Sequence, residues 1–274
     1  MSSLSVPYVF GDTLAEQQRL IIQSQGLEVY AQSMLDRISI KPGARAVDIG
    51  CGPIGILNLL SERVGSEGAV VGVEKESRFV EMARTELAQR GLRNVHLVNA
   101  DALRTGLEKN SYDLVHERLV LINLPAGTQE AILAEMFSLL RPGGIIALQE
   151  YDSISYVCYP EHPSWRLLLG IFNDTFRVAG GNELIGRSLA SLLRSTGAEG
   201  VEMNAHVRLP RVGEYQRTHQ LTLIESMRDL ILASGRIEEA ELSAHMAALF
   251  DHLSNPATVL IDRLIIQAWG QKRS

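Results

Sequence analysis

The stretch VDIGCGPIG, residues 47–55, ends a short apolar run and contains three glycines. Gly50, Gly52 and Gly55 have the spacing G-x-G-x-x-G, which is typical of a tight turn that joins a strand to a helix and binds a dinucleotide. Asp48 stands two residues before the first of them. Glycines by themselves indicate only a tight turn and a close approach of the backbone. The ligand therefore has to be inferred from the residues around the turn.

Strand and helix patterns alternate along the chain on both sides of this turn. Short apolar runs at 46–49, 68–74, 95–101, 112–121 and 144–150 predict five strands, and 54–63, 76–90 and 126–140 have helical spacing. Two later strand-like runs, 200–209 and 259–271, are suited to closing the sheet. The order predicts an α/β fold with a Rossmann-like, doubly wound, mostly parallel seven-stranded sheet. Ligands of such sheets bind beyond the carboxyl ends of the strands.

Composition excludes several classes of partner. The 274 residues include 26 basic and 32 acidic side chains, for a net charge of -6, and neither sign forms a run. This balance argues against a nucleic-acid or membrane surface. The N-terminus lacks the pattern of a signal peptide and no apolar segment is long enough to span a bilayer, so we expect a cytoplasmic protein. Cys51 and Cys158 have no metal-ligand spacing, and no metal is expected.

Asp48 distinguishes two classes of ligand. A pyrophosphate is an anion held by N–H groups at a helix N-terminus, and a neighbouring carboxylate opposes it. S-adenosylmethionine carries no phosphate but has an ammonium and a sulfonium, which the same carboxylate attracts. Glu74, at the end of the second predicted strand, accepts equally well from the ribose hydroxyls of either ligand. The residues therefore favour S-adenosylmethionine over a nicotinamide dinucleotide.

Five segments in order carry a resemblance to a known family. They are VDIGCGPIG (47–55), VVGVE (70–74), NADA (99–102), YDLVHERLVLINL (112–124) and LLRPGGIIALQE (139–150). This set resembles the successive motifs of the class I S-adenosylmethionine-dependent methyltransferases. The resemblance implies methyl transfer to an acceptor, with S-adenosylhomocysteine as the product. One position departs from the pattern: Ile54 stands where many members have glycine, which puts the local shape of the turn in question.

The resemblance also implies which residues bind the cofactor. Asp48, Gly50 and Gly52 are expected at its methionine end, Glu74 on the ribose and Asp101 on the adenine amino group. Ala102 would offer its backbone to the ring, and residues 116–119 would border the methionine part. The expected cofactor contacts are Tyr8, Gln23, Asp48, Gly50, Cys51, Gly52, Glu74, Lys75, Asp101, Ala102, Glu117 and Arg118.

The segments outside these motifs resemble a subgroup that acts on small molecules, including natural-product enzymes. The lead-in YVFGDTLAEQQRLIIQSQ (8–25) resembles the helical segment that closes over the cofactor there. We expect a helical lid at 1–40 and a methyltransferase domain at 41–274, with helical acceptor-binding insertions at about 155–195 and 213–253. Four side chains are candidates for the acceptor pocket: Trp165, Phe172, Phe176 and Met227. The expected partner is a small-molecule acceptor, and a homo-oligomer is left open.

Methyl transfer is an in-line displacement, for which alignment and exclusion of water supply most of the acceleration. A base is needed only if the acceptor atom is protonated. Glu150, at the end of the fifth predicted strand, is the best-placed candidate, and His162 and Asp152 follow. Asn123 is a candidate for orienting the acceptor through its amide, and Arg187 for binding an acceptor carboxylate.

The sequence leaves three other functions open. A cyclase or lyase that uses bound S-adenosylmethionine only as a fixed positive charge would have the same cofactor residues. A nicotinamide oxidoreductase would satisfy the literal glycine pattern. A module that binds the cofactor without catalysis is the third. The acceptor and the methylated atom (C, N or O) are not specified by the sequence.

Overall fold

The structure, a computed structural model, describes residues 9–10 and 14–273. Its helices are α1 (Leu14–Ile38), α2 (Leu57–Val64), α3 (Ser77–Arg90), α4 (Ala126–Leu139), α5 (Pro163–Val178), α6 (Leu189–Ser195), α7 (His219–Ser226), α8 (Arg228–Ala233) and α9 (Glu239–Ser254). Its strands are β1 (Arg45–Ile49), β2 (Ala69–Glu74), β3 (Val95–Asn99), β4 (Tyr112–Arg118), β5 (Leu140–Asp152), β6 (Val157–Tyr159), β7 (Glu199–His206), β8 (Val259–Ile261) and β9 (Leu264–Gln271).

Seven strands form one sheet in the order β3-β2-β1-β4-β5-β9-β7. The first five are parallel to one another, and β9 runs antiparallel to both β5 and β7. This confirms the predicted seven-stranded, mostly parallel α/β sheet. The strand order reverses at β1, because β2 and β3 follow on one side of it and β4 and β5 on the other, so a crevice opens beyond the carboxyl end of β1. Asp48 therefore lies directly beside His116 of β4 in this register.

Two predicted boundaries differ from the structure for local reasons. The helix after the glycine turn begins at Leu57 and not at Ile54, because residues 52–56 form a turn that leaves the backbone N–H of Ile56 for Asp48. The third strand ends at Asn99 and not at Asp101, because the Asp101 carboxylate accepts the Leu103 N–H at 2.8 Å. In both cases a side-chain carboxylate, and not a backbone carbonyl, accepts a backbone N–H group next to the boundary of the regular element.

The helices cover both faces of the sheet. The second half of α1 packs with α2 on one face, where Met34, Leu35, Leu57 and Leu60 are buried with Trp269 of β9. On the other face, α4 and α6 cover the inner strands through a second cluster that includes Met136 and Leu193. The predicted division into a helical lid and a methyltransferase domain remains a prediction. Helix α1 packs with the sheet in the first cluster, and α6 packs with it in the second.

A third cluster lies beyond the carboxyl edge of the sheet. It joins α5, α7, α8 and α9 with the two-stranded sheet of β6 and β8, and Phe10 from the N-terminal segment packs into it. This helical unit forms the roof over the crevice. None of the described helices has the length and apolar character needed to cross a bilayer.

The segment 119–124, between β4 and α4, is fixed by buried polar groups. Glu117 accepts the N–H of Val120 at 3.1 Å, and Glu150 accepts the N–H of Ile122 at 3.2 Å. The amide of Gln129 donates to the carbonyl groups of Leu121 and Leu124. Leu119 adopts a φ of 58°, which a non-glycine residue adopts only where its surroundings impose it. The segment therefore forms a rigid wall beside the crevice.

The two carboxyl groups that hold this wall contact each other. Both are fully buried on the α4 side of the sheet, where β4 and β5 are neighbours. Burial raises the pKa of Glu117 to about 7, and burial together with the adjacent Glu117 raises the pKa of Glu150 well above its usual range. Like charges this close cannot both ionise in a dry site, so the pair retains a proton near neutral pH.

This retained proton makes stability depend on pH. In the unfolded chain both carboxyl groups ionise near the usual pKa of 4.5, whereas in the folded protein the pKa of Glu117 is about 7 and that of Glu150 lies well above its usual range. The stabilising contribution of the pair is therefore complete below about pH 4.5 and is lost as pH rises toward 7. Glu150→Gln removes part of this loss. We therefore expect the unfolding free energy of the variant minus that of the wild type to be at least about 1 kcal/mol higher at about pH 8 than at about pH 5. Urea denaturation at the two pH values measures this difference.

Glu108→Gln is the matched control, since the Glu108 side chain is 69% exposed. Its unfolding free energy relative to wild type should be the same at both pH values. If the unfolding free energies of the wild type and of Glu150→Gln changed equally with pH, the retained proton would be contradicted.

Candidate active site

A cavity of about 270 Å³ lies at the carboxyl ends of β1, β2, β4 and β5. The glycine turn and the ends of β2 and β3 form its floor, the segment 119–124 forms one side, and α1, α5 and α7 cover it. The sequence analysis placed the ligand at this edge of the sheet. The cavity accordingly contains most of the predicted side chains, which come from five separate segments of the chain.

Asp48 is almost completely buried beneath the glycine turn. Its Oδ2 accepts the N–H of Ile56 at 3.0 Å, at the start of α2. Its Oδ1 lies 2.7 Å from Nδ1 of His116 on the adjacent strand. The carboxylate thus occupies the position at the helix N-terminus where a phosphate would bind in a dinucleotide site. A pyrophosphate placed on this turn would meet a fixed negative charge.

The three glycines differ in what a side chain at each position would meet. A Cβ on Gly55 would lie 2.2 Å from Oδ2 of Asp48, and one on Gly50 would lie 2.4 Å from Val120. A Cβ on Gly52 would meet no protein atom within 4 Å and Gly52 borders the cavity, so a side chain there would fill space open to a ligand. Ile54 is buried in the cluster below α2 and does not line the cavity, so the departure at this position leaves the turn open.

Glu74 connects the two turns of the floor. Its Oε2 accepts the N–H of Gly52 at 2.9 Å, and its Oε1 accepts the N–H of Glu76 at 2.8 Å. Burial raises its pKa, and these backbone donors oppose the rise. A carboxylate has about four acceptor positions, so acceptor capacity remains for a hydroxyl group of a ligand. Burial and the charges of Asp48 and Glu74 raise the pKa of the Cys51 thiol, which stays protonated.

Asp101 and Ala102 border the cavity at the end of β3, next to Lys75. One carboxylate oxygen of Asp101 accepts from Leu103, which orients the side chain. The amide of Asn99 donates to the carbonyl groups of Glu74 and Lys75 at 2.9 and 2.7 Å. The ends of β2 and β3 are therefore held at a fixed separation, as a flat ring between them requires.

Arg118 reaches from β4 to α1 across the cavity wall. Its Nη2 donates to Oγ of Ser24 at 2.7 Å and to the carbonyl of Gly55 at 3.0 Å. Its Nη1 is buried and has no hydrogen-bond partner among the described residues. Burial lowers the pKa of Arg118, although the group remains a cation. A buried cation with an unused donor in a cavity wall is suited to a carboxylate ligand. Gln23, one residue before Ser24, borders the same cavity.

The half of the cavity away from the glycine turn is apolar on one side. Phe10, Phe176 and Phe172 form a row in that order, with the ring centroid of Phe176 lying 6.0 Å from that of Phe10 and 5.7 Å from that of Phe172. All three border the cavity. Of the four predicted acceptor-pocket residues, Phe172 and Phe176 therefore lie in the wall, while Trp165 and Met227 are buried in the roof cluster.

Polar side chains that were not predicted from the sequence also border this half of the cavity. Arg19, Ser153, His219 and Arg263 border the cavity there. Arg19 and Gln23 are four residues apart on α1 and therefore lie on the same face of the helix. Because Gln23 was a predicted contact, this spacing could have indicated Arg19. Ser153, His219 and Arg263 come from separate segments without a local motif.

Several predicted residues do not border the cavity. Glu117 and Glu150 lie behind the wall segment 119–124, on the α4 side of the sheet. His162 caps α5, where its Nδ1 accepts the N–H of Ser164. Asp152 is bound by Arg187 through two hydrogen bonds of 2.8 Å, so this arginine is engaged away from the cavity. Tyr8 lies outside the described residues. Asn123 does border the cavity, and its amide nitrogen donates to Leu119.

Comparison with known proteins identifies the family. Residues 40–175 match a family model described as a methyltransferase domain. The demethylmenaquinone methyltransferase of Staphylococcus epidermidis is 31% identical over 172 residues, which cover 61% of this chain and 70% of that protein. The demethylmenaquinone methyltransferase of Listeria innocua is 28% identical over 138 residues, or 50% of this chain and 54% of that protein.

Two solved structures have the same fold. Phosphoethanolamine N-methyltransferase 2 of Haemonchus contortus, solved with S-adenosylhomocysteine, has a TM-score of 0.53 at 16% identity; the match covers 94% of this chain and 52% of that one. The YcgJ protein of Bacillus subtilis has a TM-score of 0.59 at 14% identity, with coverage of 89% and 99%. The chain belongs to the class I S-adenosylmethionine-dependent methyltransferases, as the motif resemblance predicted.

Proposed function

We propose that the protein transfers a methyl group to a small, largely apolar acceptor that binds beneath the helical roof. The observation that carries this proposal is the division of one cavity into two halves. The floor around Asp48 and Glu74 is polar and negatively charged, whereas Phe10, Phe172 and Phe176 line the other half. A cavity of about 270 Å³ covered by helices favours a small acceptor over a folded macromolecule.

The residues present fit S-adenosylmethionine. Glu74 retains acceptor capacity for ribose hydroxyls, and Asp101 stands at the end of the neighbouring strand, where an adenine amino group would lie. The space beside the backbone of Gly52 is open to a ligand. The unused Nη1 of Arg118 is suited to the methionine carboxylate. Asp48 supplies the negative charge that an ammonium and a sulfonium require. Gln23 and Tyr8 remain proposed contacts from the N-terminal side.

When bound, the cofactor supplies an electrophilic methyl group: an acceptor lone pair forms the new bond, the carbon–sulfur bond breaks, and its electron pair stays on sulfur. The chain itself contributes orientation and exclusion of water. The wall segment 119–124 fixes one side of the acceptor, and Asn123 offers its amide oxygen there. The carboxyl pair of Glu117 and Glu150 acts on the reaction only by positioning this wall.

Product mass tests the proposal. The protein is incubated with S-adenosylmethionine and a panel of reduced naphthoquinols, phenols and aromatic acids, and products are read by mass spectrometry. Naphthoquinols are included because the similar curated proteins are named as demethylmenaquinone methyltransferases. A gain of one methyl group supports the proposal. An isomeric product would instead indicate a cyclase or lyase, and lack of binding of S-adenosylhomocysteine would exclude both.

Glu74→Gln tests the floor of the cavity. The amide places its NH2 group against the N–H of either Gly52 or Glu76 and removes acceptor positions from the ribose. We expect affinity for S-adenosylhomocysteine to fall by about tenfold or more, since hydrogen bonds to charged groups are worth about 1.5–3 kcal/mol. Titration calorimetry measures this, with the exposed variant Glu108→Gln as control. An unchanged dissociation constant would remove Glu74 from the site.

Gly55→Ala tests the contact between the turn and Asp48. The new Cβ would lie 2.2 Å from the Asp48 carboxylate, so the carboxylate must move, and we expect binding of S-adenosylhomocysteine to weaken by about tenfold or more. Gly91→Ala is the matched control, because Gly91 has a left-handed φ of 68° and open space around its Cβ. Both variants should lose about 1 kcal/mol of stability through strain. Equal affinity of the two variants would refute the role of this contact.

Arg118→Gln tests recognition of the methionine carboxylate. We compare S-adenosylhomocysteine with 5′-methylthioadenosine, which lacks the amino-acid part. The wild type should prefer the first ligand, and the variant should lose about tenfold of that preference because a charge-assisted hydrogen bond is removed. The ratio of the two dissociation constants corrects for any general loosening of the site. A preserved ratio would place the carboxylate elsewhere.

A further inference from the structure

The polar side of the acceptor half contains more positive than negative charge. Arg19 donates to both carboxylate oxygens of Glu16 at 2.6 Å, so these two charges balance. Asp262 accepts two hydrogen bonds from Arg208 at 3.2 and 2.8 Å, and its other oxygen lies 4.0 Å from Nη1 of Arg263. One carboxylate thus serves two guanidinium groups, of which that of Arg263 is buried.

Other groups at this end do not restore the balance. Among the described residues, Glu183 is the other carboxylate of this part of the wall, and Arg177 binds it. His219 is uncharged: burial and the charges of Arg19, Arg263 and Arg208 lower its pKa well below the usual value. A buried excess cation is unfavourable by itself and is stabilised when an anion binds.

Arg263 is held in one orientation at the cavity wall. Its Nε donates to Oγ of Ser153 at 3.2 Å, and its Nη2 donates to Oε1 of Gln220. Its guanidinium carbon lies 3.8 Å from the centre of the Tyr156 ring. A planar guanidinium fixed on three sides presents its remaining edge to a ligand, which is the arrangement that binds carboxylates and other planar anions.

His219 does not act as the base for the acceptor. Its Nε2 lies 3.2 Å from Nη1 of Arg19, and a guanidinium can only donate, so this nitrogen accepts and the proton is on Nδ1. Glu150 and His162 lie away from the cavity. An acceptor that is already ionised when it binds needs no base.

We propose that the protein takes an anionic acceptor, a carboxylate, enolate or phenolate, whose charged oxygen binds Arg263 while its apolar part lies against Phe10, Phe172 and Phe176. This assignment rests on the proposed function of the cavity. It names the charge of the substrate and a specificity-determining residue. The aromatic rings and Arg263 border the same cavity, so one flat molecule can contact both.

The test uses the full chain saturated with S-adenosylhomocysteine and two probes of equal shape, 2-naphthoate and its neutral isostere 2-naphthamide. Binding is measured by titration calorimetry. We expect the wild type to bind the anion at least about tenfold more tightly than the amide. Arg263→Gln should reduce this preference to about threefold or less, and Arg263→Lys should keep part of it. Equal binding of the two probes by the wild type overturns the proposal without any variant.

Two controls separate the alternatives. Arg236→Gln removes an exposed arginine that pairs with Asp174 outside the cavity and should leave the preference unchanged. If Arg263→Gln instead weakens S-adenosylhomocysteine and leaves 5′-methylthioadenosine unaffected, Arg263 binds the cofactor carboxylate and the proposal is wrong. Failure of the wild type to bind S-adenosylhomocysteine contradicts the proposed function itself. Binding of that ligand with no anion preference contradicts only this inference.

Discussion

The rest of the site depends on where the negative charge of Asp48 is placed. Buried beneath a turn that a phosphate could otherwise occupy, the carboxylate satisfies the first free N–H of α2 and contacts His116 on the next strand. A buried ionised group needs such partners to remain charged. Gly55 has no side chain because the carboxylate lies where a Cβ would point. A turn with this carboxylate beneath it is suited to a cationic ligand and opposes a phosphate.

Two buried carboxyl groups on the opposite face of the sheet have a mechanical role. Glu117 and Glu150 hold backbone N–H groups of the segment 119–124, so the wall beside the cavity is fixed by hydrogen bonds as well as by packing. Because they retain a proton, they hold the wall with less electrostatic cost than two ionised groups would have. The floor and the wall of the site are thus set by acidic side chains in two different charge states.

The sequence predicted the parts of the site that follow from strand position. Asp48, Glu74 and Asp101 stand at or just beyond strand ends, and parallel strands bring those ends to one edge. Position along a strand does not reveal its face, however, and Glu150 lies on the face away from the cavity while its neighbour Tyr151 borders it. Arg263 and Ser153 meet because β5 and β9 pair with Asp152 opposite Leu264, a long-range register that the sequence does not reveal. His162 was a candidate base, but it caps the N-terminus of α5. A histidine before a helix has the same sequence context in either role.

Helix α1 connects the two halves of the cavity, and its own two halves differ. Its second half is anchored in the core through Met34, Leu35 and Ile38, whereas Arg19, Gln23 and Ser24 extend over the ligand space. At Gly26 the helix leaves room for Gln216 and accepts a hydrogen bond from Arg208, the partner of Asp262. Substitutions in the overhanging half can alter acceptor choice while the anchored half and the Asp48 turn stay intact. Evolution can therefore diversify the substrates of this scaffold through its first helix without rebuilding the cofactor floor.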